Sequence, residues 1–454
     1  TSGEITSAHQ FTARVWWYGL AGFTLGGIDV APTTLPEIRV CAEGVWDDTS
    51  EKCDFSQQPN VSNCDYTGGL GIQQAIESIP ESTPGTLTRI RLTSGCFHRI
   101  AADSDSGITT YNSINPDSAT DPLVQRTAAI YTQGRAVWIS GSGNDASRAS
   151  TIIEGSNSPN TSGIVNGDPR TTTRSTDPYP DVPGQFILES LMVYDFGKDG
   201  AECSGIGPCG SGDGINTAAS GNFSSTLSQI RSDFNLQDGV FCPNAASAIV
   251  IGSHIDNNGS AGLRAFDNSH VFGANIVFSS GNSVGAFASH DATLVMRNIT
   301  VDSARNAAIS EDGSHSTNSE PIIQLSNALI QNIGFATQDA DAGYGISYRD
   351  KQSETGPQTA NDSYTFNVST GNARNGENCD QQHLCAPHNG SIEDYPFFAP
   401  SVFGNPSATP QELNALKKDK GDPAIFDPDG TRSDIGAYGG PGACLLDPSL
   451  TGCT

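Results

Sequence analysis

Arg264, His290, Tyr348 and Lys351 are the residues of this 454-residue chain whose types come nearest to a reaction centre. An arginine neutralises a carboxylate, and a histidine, tyrosine or lysine near it can remove the proton from the carbon beside that carboxylate. Those are the requirements of a β-elimination. Arg349, Phe287, Glu311, Asp312 and Asp350 lie close to them in sequence and are the candidate substrate contacts. The three acids also offer material for paired-carboxylate glycoside hydrolysis, although adjacent Glu311 and Asp312 need not face one groove, because strand side chains alternate. The plain alternative is that Tyr348-Arg349-Asp350-Lys351 is a solvated turn and His290 a surface residue.

These residues act together only if a fold stacks distant segments, and the chain repeats in a way that does so. Between 252 and 350 one motif recurs: GSHIDNNGSAGLRAF, GANIVFSSGNSVGAF, MRNITVDSARNAAIS, then SNALIQNIGFA followed by GYGISYRD. Aligning Ile255, Ile276, Ile299 and Leu329 gives intervals of 21, 23 and 30 residues, too short for domains and too irregular for helical repeats. Each unit holds two short apolar, β-branched runs divided by Asn, Gly, Ser and Asp. The second run recurs as Gly214-Ile215, Gly239-Val240, Gly262-Leu263, Gly285-Ala286, Ala308-Ile309 and Gly345-Ile346. A small residue there permits a close bend, and the apolar one faces its equivalent on the next coil. The expected architecture is an all-β solenoid. At roughly 23 residues per rung, 137–368 would make about 10 coils stacked at ~4.8 Å. Asn257, Asn258, Asn275, Asn282, Asn298, Asn306, Asn327 and Asn332 fit bent backbone and internal hydrogen-bonded ladders.

Three regions follow: 1–85 as N-terminal extension and cap, 86–375 as body with loop insertions, and 376–454 as C-terminal cap and cysteine-bearing tail. In YTGGLGIQQAIESIP (66–80), Ile72, Ala75, Ile76 and Ile79 share one helical face, which suits a short helix laid over the first coil. TRIRLTSG and AVWISGSG are expected as leading strands, and the module ending DPDGTRSDIGAYGG as a cover for the last coil.

The net charge of −27 argues against nucleic acid as a partner, and an acidic polysaccharide would need a locally basic groove or bridging cations. No run of 18 apolar residues occurs, and WWYGLAGFTLGG (16–27) lacks a basic stretch before it, so a mature, secreted chain without a transmembrane segment is expected. Eleven cysteines without a CxxC favour disulfides in an oxidising compartment, with one thiol left over. Cys203 with Cys209, Cys379 with Cys385 and Cys444 with Cys453 are the candidate loop closures. Asn60, Asn160, Asn222, Asn258, Asn298, Asn361, Asn367 and Asn389 head glycosylation triplets. No cofactor is required, and calcium is the ion that Asp195, Asp199, Asp213, Asp233 and Asp238 would suit, with ordinary turns as the alternative. Asp427-Pro428-Asp429-Gly430 reads first as a turn and second as a cation site.

The repeated coils, the GIQQAI segment and the terminal DPDGTRSDIGAYGG resemble secreted right-handed parallel β-helix proteins of the broad pectate-lyase-like superfamily, over about 66–440. The resemblance implies a single-stranded right-handed parallel β-helix with a short N-terminal capping helix and a C-terminal cap, and often a carbohydrate ligand. The same scaffold hosts lyases, hydrolases, epimerases and inactive surface proteins, so whether the chain is an enzyme stays open. Three readings stand: a polysaccharide lyase acting on a uronic-acid polymer, a noncatalytic protein binding polysaccharide or cell-surface glycan, and a glycoside hydrolase.

Overall fold

The computed structural model describes residues 35–50, 52–60, 62–80, 87–99, 109–114, 123–142, 150–156, 161–167, 185–197, 212–217, 224–243, 246–279, 281–312, 321–333, 344–349, 363–365, 368–370 and 418–453. The chain is a right-handed parallel β-helix whose strands stack, coil upon coil, into three ladders. Ladder one runs from Glu37–Cys41 through Thr88–Leu92, Val137–Ser140, Phe186–Glu189 and Ser224–Ser228, then along the first halves of Ser247–Asp256, His270–Phe278 and Thr293–Asp302 to Ile322–Ser326 and Ser363–Thr365. Ladder two stacks Gly95–His98, Thr151–Glu154, Met192–Tyr194, Arg231–Asp233, the second halves of those three long strands, Leu329–Gln331 and Val368–Thr370. Ladder three stacks Leu123–Tyr131, Thr161–Val165, Ile215–Asn216, Val240–Cys242, Ala261–Phe266, Val284–Ser289, Ala307–Asp312 and Tyr344–Arg349. The first coil begins at Glu37, within the segment expected as extension and cap.

Alternation along each strand builds the core. Ile90, Ile139, Leu188, Leu227 and Val250 follow one another on ladder one, each fully buried. On ladder three the expected column Ile215, Val240, Leu263, Ala286, Ile309 and Ile346 forms in register. Ladder two corrects the sequence alignment. Ile276 pairs with Ile299 but stands opposite Ser253 and not Ile255, and Thr300 pairs with Leu329 and Val301 with Ile330. A one-residue shift exchanges faces, so Ile330 enters the core while Leu329 packs outside against Ile435.

Asparagine fills the inner corner between ladders two and three. The Asn235 side-chain amide donates to Asn258 Oδ1 at 2.9 Å, and that of Asn258 donates to Asn282 Oδ1 at 3.2 Å. Gly239 lies against this stack. A Cβ there would stand 2.6 Å from Asn258 Nδ2 and 2.8 Å from the Gly262 carbonyl, which explains the small residue before each apolar one. Asn258 and Asn298, both with fully buried side chains, are structural amides in the folded chain and not surface glycan acceptors.

The helix Gly68–Ser78 covers the first coil, with Ile72, Ala75 and Ile76 buried among Val40, Ile90 and Phe97. Its Gln73 exchanges two hydrogen bonds with the backbone of Tyr131, at 2.8 and 3.2 Å, and so occupies polar groups at a ladder-three strand. Disulfides join Cys41 to Cys64, Cys53 to Cys96 and Cys444 to Cys453, the last as expected from sequence. Cys203, Cys209, Cys379 and Cys385 lie outside the described residues. Cys242 is a buried free thiol whose pKa burial pushes up to about 12, which makes it inert. Among the described residues no helix is long and apolar enough to cross a membrane.

The described part of the closing module, 418–453, runs along the flank of the helix, over the bend from ladder one to ladder two. At that bend Gln229, Gly252, Asn275, Asn298 and Asn327 all have positive φ. The amide side chains among them hold the segment: Asn275 Nδ2 donates to the carbonyls of Ala437 and Gly439, Asn298 Nδ2 to Ser433 Oγ, and Gln229 Nε2 to the Leu445 carbonyl. Leu445 covers an outward apolar patch of Ile249, Ile251, Phe272 and Ala274. Asn275→Ala leaves two carbonyls without their donor and is expected to lose about 1–3 kcal/mol. Limited proteolysis of that variant should therefore release fragments from 418–453 faster than from the parent, and equal rates would show that Asn275 does not hold the flank segment.

Candidate functional site

Ladder three brings part of the sequence-derived constellation together. Phe241, Arg264, Phe287 and Ser310 occupy one outward column. The Arg264 guanidinium pairs with Asp238 at 3.1 Å, donates to Ser260 Oγ at 2.8 Å and lies 5.1 Å from the Phe287 ring centroid. Its charge is thus balanced by a carboxylate of the fold itself, and Phe287 is only 4% exposed. His290 packs against Phe266, with ring centroids 4.4 Å apart.

Glu311 corrects the expectation of an outward array. It shares its register with Ala288, which belongs to the core, and is 1% exposed, because alternation turns it inward where its neighbours turn out. In the strand register Tyr348 stands opposite Glu311 and Arg349 opposite Asp312. Asp350 and Lys351 lie outside the described residues.

The acids considered for calcium divide between two places. Asp195 and Asp233 lie at the outer edge of ladder two, whereas Asp213 and Asp238 lie in turns entering ladder three. Asp238 is paired with Arg264 and Asp233 with Arg231. No group of three His, Cys, Asp or Glu side chains set to hold a metal ion occurs among the described residues, and Asp199 lies outside them. Asp427–Gly430 is a turn closed by the Gly430 amide on the Asp427 carbonyl.

A basic cluster stands elsewhere, on the outward face of ladder one near the N-terminal end. Arg39, Arg91, Ser140 and Glu189 follow one another on successive coils, and Glu37, Arg89, Trp138 and Ile187 form the parallel column. Both columns flank the buried line through Ile90 and Ile139, so alternation alone puts their side chains outside. The Arg89 guanidinium lies 4.5 Å from the Trp138 ring centroid and donates to Ser140 Oγ at 3.0 Å. The indole N–H of Trp138 donates to Glu189 Oε2 at 3.1 Å, which fixes the carboxylate. Glu37 approaches Arg89 and Arg91 only at 4.0 and 3.8 Å, and Arg91 is 57% exposed. Such loose surface pairs contribute little, so both arginines can exchange Glu37 for another anion. Burial raises the Glu189 pKa above the usual carboxylate value, against the opposing pull of Arg89 and the indole hydrogen bond.

This cluster went unread in the sequence, where TRIRLTSG serves only as a leading strand. The available signal was arginine at two alternate positions in a strand, which must share one face. What the string hides is that Glu37–Cys41 pairs beside it and adds Arg39 to the same column.

No protein-family model and no curated protein matches the chain. Among solved structures it is similar to the Azotobacter vinelandii mannuronan C-5 epimerase AlgE6 A-module, with TM-score 0.39 and 13% identity over 62% of this chain and 64% of that one. The AlgE4 A-module from the same organism gives TM-score 0.40 and 15% identity over 61% and 69%. Pectate lyase Pel9A gives TM-score 0.43 and 11% identity over 89% and 96%. The chain thus spans slightly less than two thirds of the AlgE6 module, and likeness at this level carries no argument about the reaction.

Proposed function

We propose that the protein is extracellular, binds a uronic-acid-containing polysaccharide across the arginine-bearing face of ladder one, and cleaves it by β-elimination with Glu189 as base. The observation that supports this most is the gathering of Arg39, Arg89 and Arg91 on neighbouring coils of a chain whose net charge is −27. A polyanion repelled by the mean field finds there a local field of the opposite sign, bordered by Trp138. Disulfides suit the oxidising compartment in which such a polymer is met.

In the reaction, Arg91 and Arg89 neutralise the uronate carboxylate and so acidify the proton at C5. Glu189, raised by burial, accepts that proton. The C–H electron pair forms the C4–C5 double bond as the C4–O bond breaks, and the departing oxygen takes a proton from solvent.

Arg89→Ala and Arg91→Ala test the binding step, by affinity electrophoresis in gels containing polygalacturonate or alginate, with and without calcium. Each variant is expected to bind at least about tenfold more weakly, the loss of one charge-assisted contact. Unchanged retention in both would overturn the site. Turnover is followed in parallel by absorbance of the new double bond and by reducing ends. Reducing ends without unsaturation would replace elimination by hydrolysis, and binding with neither signal would leave a noncatalytic glycan-binding protein.

A further inference from the structure

We infer that the outward face of ladder two is a second glycan-binding site, separate from the ladder-one arginines, which takes an uncharged polysaccharide between Phe234 and Tyr438. Among the described residues four large apolar side chains are exposed, and two of them, Phe234 at 45% and Tyr438 at 48%, border this face. Each is held there by specific structure.

Phe234 follows Asp233 directly and has φ +57, a left-handed conformation that bulky residues rarely adopt. That bend carries its ring outward while Tyr194 supports it edge-on at 5.6 Å, and Trp46 supports Tyr194 at 5.9 Å. The corner is left-handed on the neighbouring coils too, where Asp195 and Asn257 occupy it. What sets Phe234 apart is therefore an exposed aromatic ring at a position otherwise given to small polar residues, with further aromatic side chains behind it, and that points to a contact surface.

Tyr438 comes from the other side. The carbonyls on either side of it, those of Ala437 and Gly439, accept from Asn275 Nδ2 at 2.7 and 2.6 Å, and the Ala437 amide donates to Thr300 Oγ1 at 3.0 Å. Ala437 packs on Val277, which pairs with His254 on the preceding coil. The terminal GAYGG turn is therefore a clamp that delivers Tyr438 to the strip of His254 and Asp256, which accounts for a motif that ladder one leaves unexplained.

Between the two rings the floor is polar and carries no surplus of positive charge. Arg231 is spent on Asp233 at 2.8 Å, and the Asp233 carboxylate also accepts from Asn257 Nδ2 at 3.0 Å. Asp256 accepts from the Ser279 amide at 2.7 Å. The His254 pKa is held down, chiefly by burial and further by Arg231, against Asp256, which favours its neutral ring. A carboxylated polymer is repelled by such a floor. A neutral sugar offers hydroxyl groups to the polar side chains and its C–H faces to the rings.

The test uses the full chain and a panel of cellulose, xylan, β-mannan and amylose, measured by affinity electrophoresis or sedimentation with the insoluble polymer. At least one of these is expected to retain the protein, with retention insensitive to ionic strength, whereas ladder-one binding of a polyanion weakens as salt rises. Phe234→Ala and Tyr438→Ala should each weaken retention about 3–10-fold, as loss of one stacking surface does. Phe234→Tyr and Tyr438→Phe should retain it, and thermal melts of all four variants separate lost contact from lost folding. No retention by any polymer of the panel, retention that only low salt permits, or unchanged retention in both folded alanine variants would each overturn the site. None of those outcomes touches the ladder-one reading, which is measured on acidic polymers.

Discussion

Glu189→Gln is expected to lower turnover of a uronic-acid polymer by about 10²–10⁴-fold, the usual effect of removing one positioned general base, while the polymer is still bound. Glutamine keeps an oxygen that can accept from the Trp138 indole at the position where Glu189 now accepts at 3.1 Å. The substitution therefore removes proton transfer and spares the contact that orients Trp138 beneath Arg89. If Glu189 were only an anchor for that indole, the variant would turn over substrate like the parent.

The pH dependence gives a second check on the same residue. Because burial raises its pKa, Glu189 is an effective base only above that raised value, so the acid limb of kcat/KM should lie above the ordinary carboxylate range and vanish in the glutamine variant. Stability carries the opposite sign. A carboxyl whose folded pKa is raised contributes stability that is fully present below its unfolded pKa and is lost as pH rises through the folded value. Asp233 and Asp427, both raised to about 6 mainly by burial, share that sign. The parent should therefore lose part of its thermal stability between about pH 4 and pH 7 on account of these groups, and Glu189→Gln should lose less.

Much of the scaffold was legible because its rules are local. The Gly-apolar pairs from Gly214-Ile215 onward mark where a strand leaves a crowded asparagine corner, and any Cβ at Gly239 would meet Asn258 there. The apolar face of the capping helix was equally plain. Register on ladder two was not, because Ile255, Ile276, Ile299 and Leu329 look alike as letters and differ only in which coil position they fill. Ile330 and not Leu329 enters the core, a distinction set by the partner strand.

The candidate site was harder still. Arg264 looked free in the sequence because Asp238, its partner, lies one coil earlier. Arg39, Arg91 and Glu189 looked unrelated because long loops separate coils that the fold sets next to one another. Sequence distance conceals both an internal ion pair and a shared face, and only the register reveals which is which.

Asn258→Ala should be the most damaging single change in the scaffold. Its Oδ1 accepts from the Asn235 backbone at 3.1 Å and from the Asn235 side chain at 2.9 Å, while its Nδ2 donates to the Ser232 carbonyl at 3.1 Å and to Asn282 Oδ1 at 3.2 Å. Alanine strips a bonding partner from groups on both neighbouring coils, where water does not reach. Each buried polar group left unpaired costs about 1–3 kcal/mol, so a loss of about 3–5 kcal/mol is expected in denaturant melts. Asn306 supplies the contrast, since its half-buried amide makes a side-chain bond to Ser283 Oγ and Asn306→Ala should cost under about 1.5 kcal/mol. A solenoid passes stability from coil to neighbouring coil, so the Asn258 variant should also open first around Asn235, Asn258 and Asn282, seen as faster amide exchange there than at the capped first coil. Equal stability of the two variants would mean that the asparagine stack fills space without holding the corner together, and that apolar packing alone sets the coil-to-coil register.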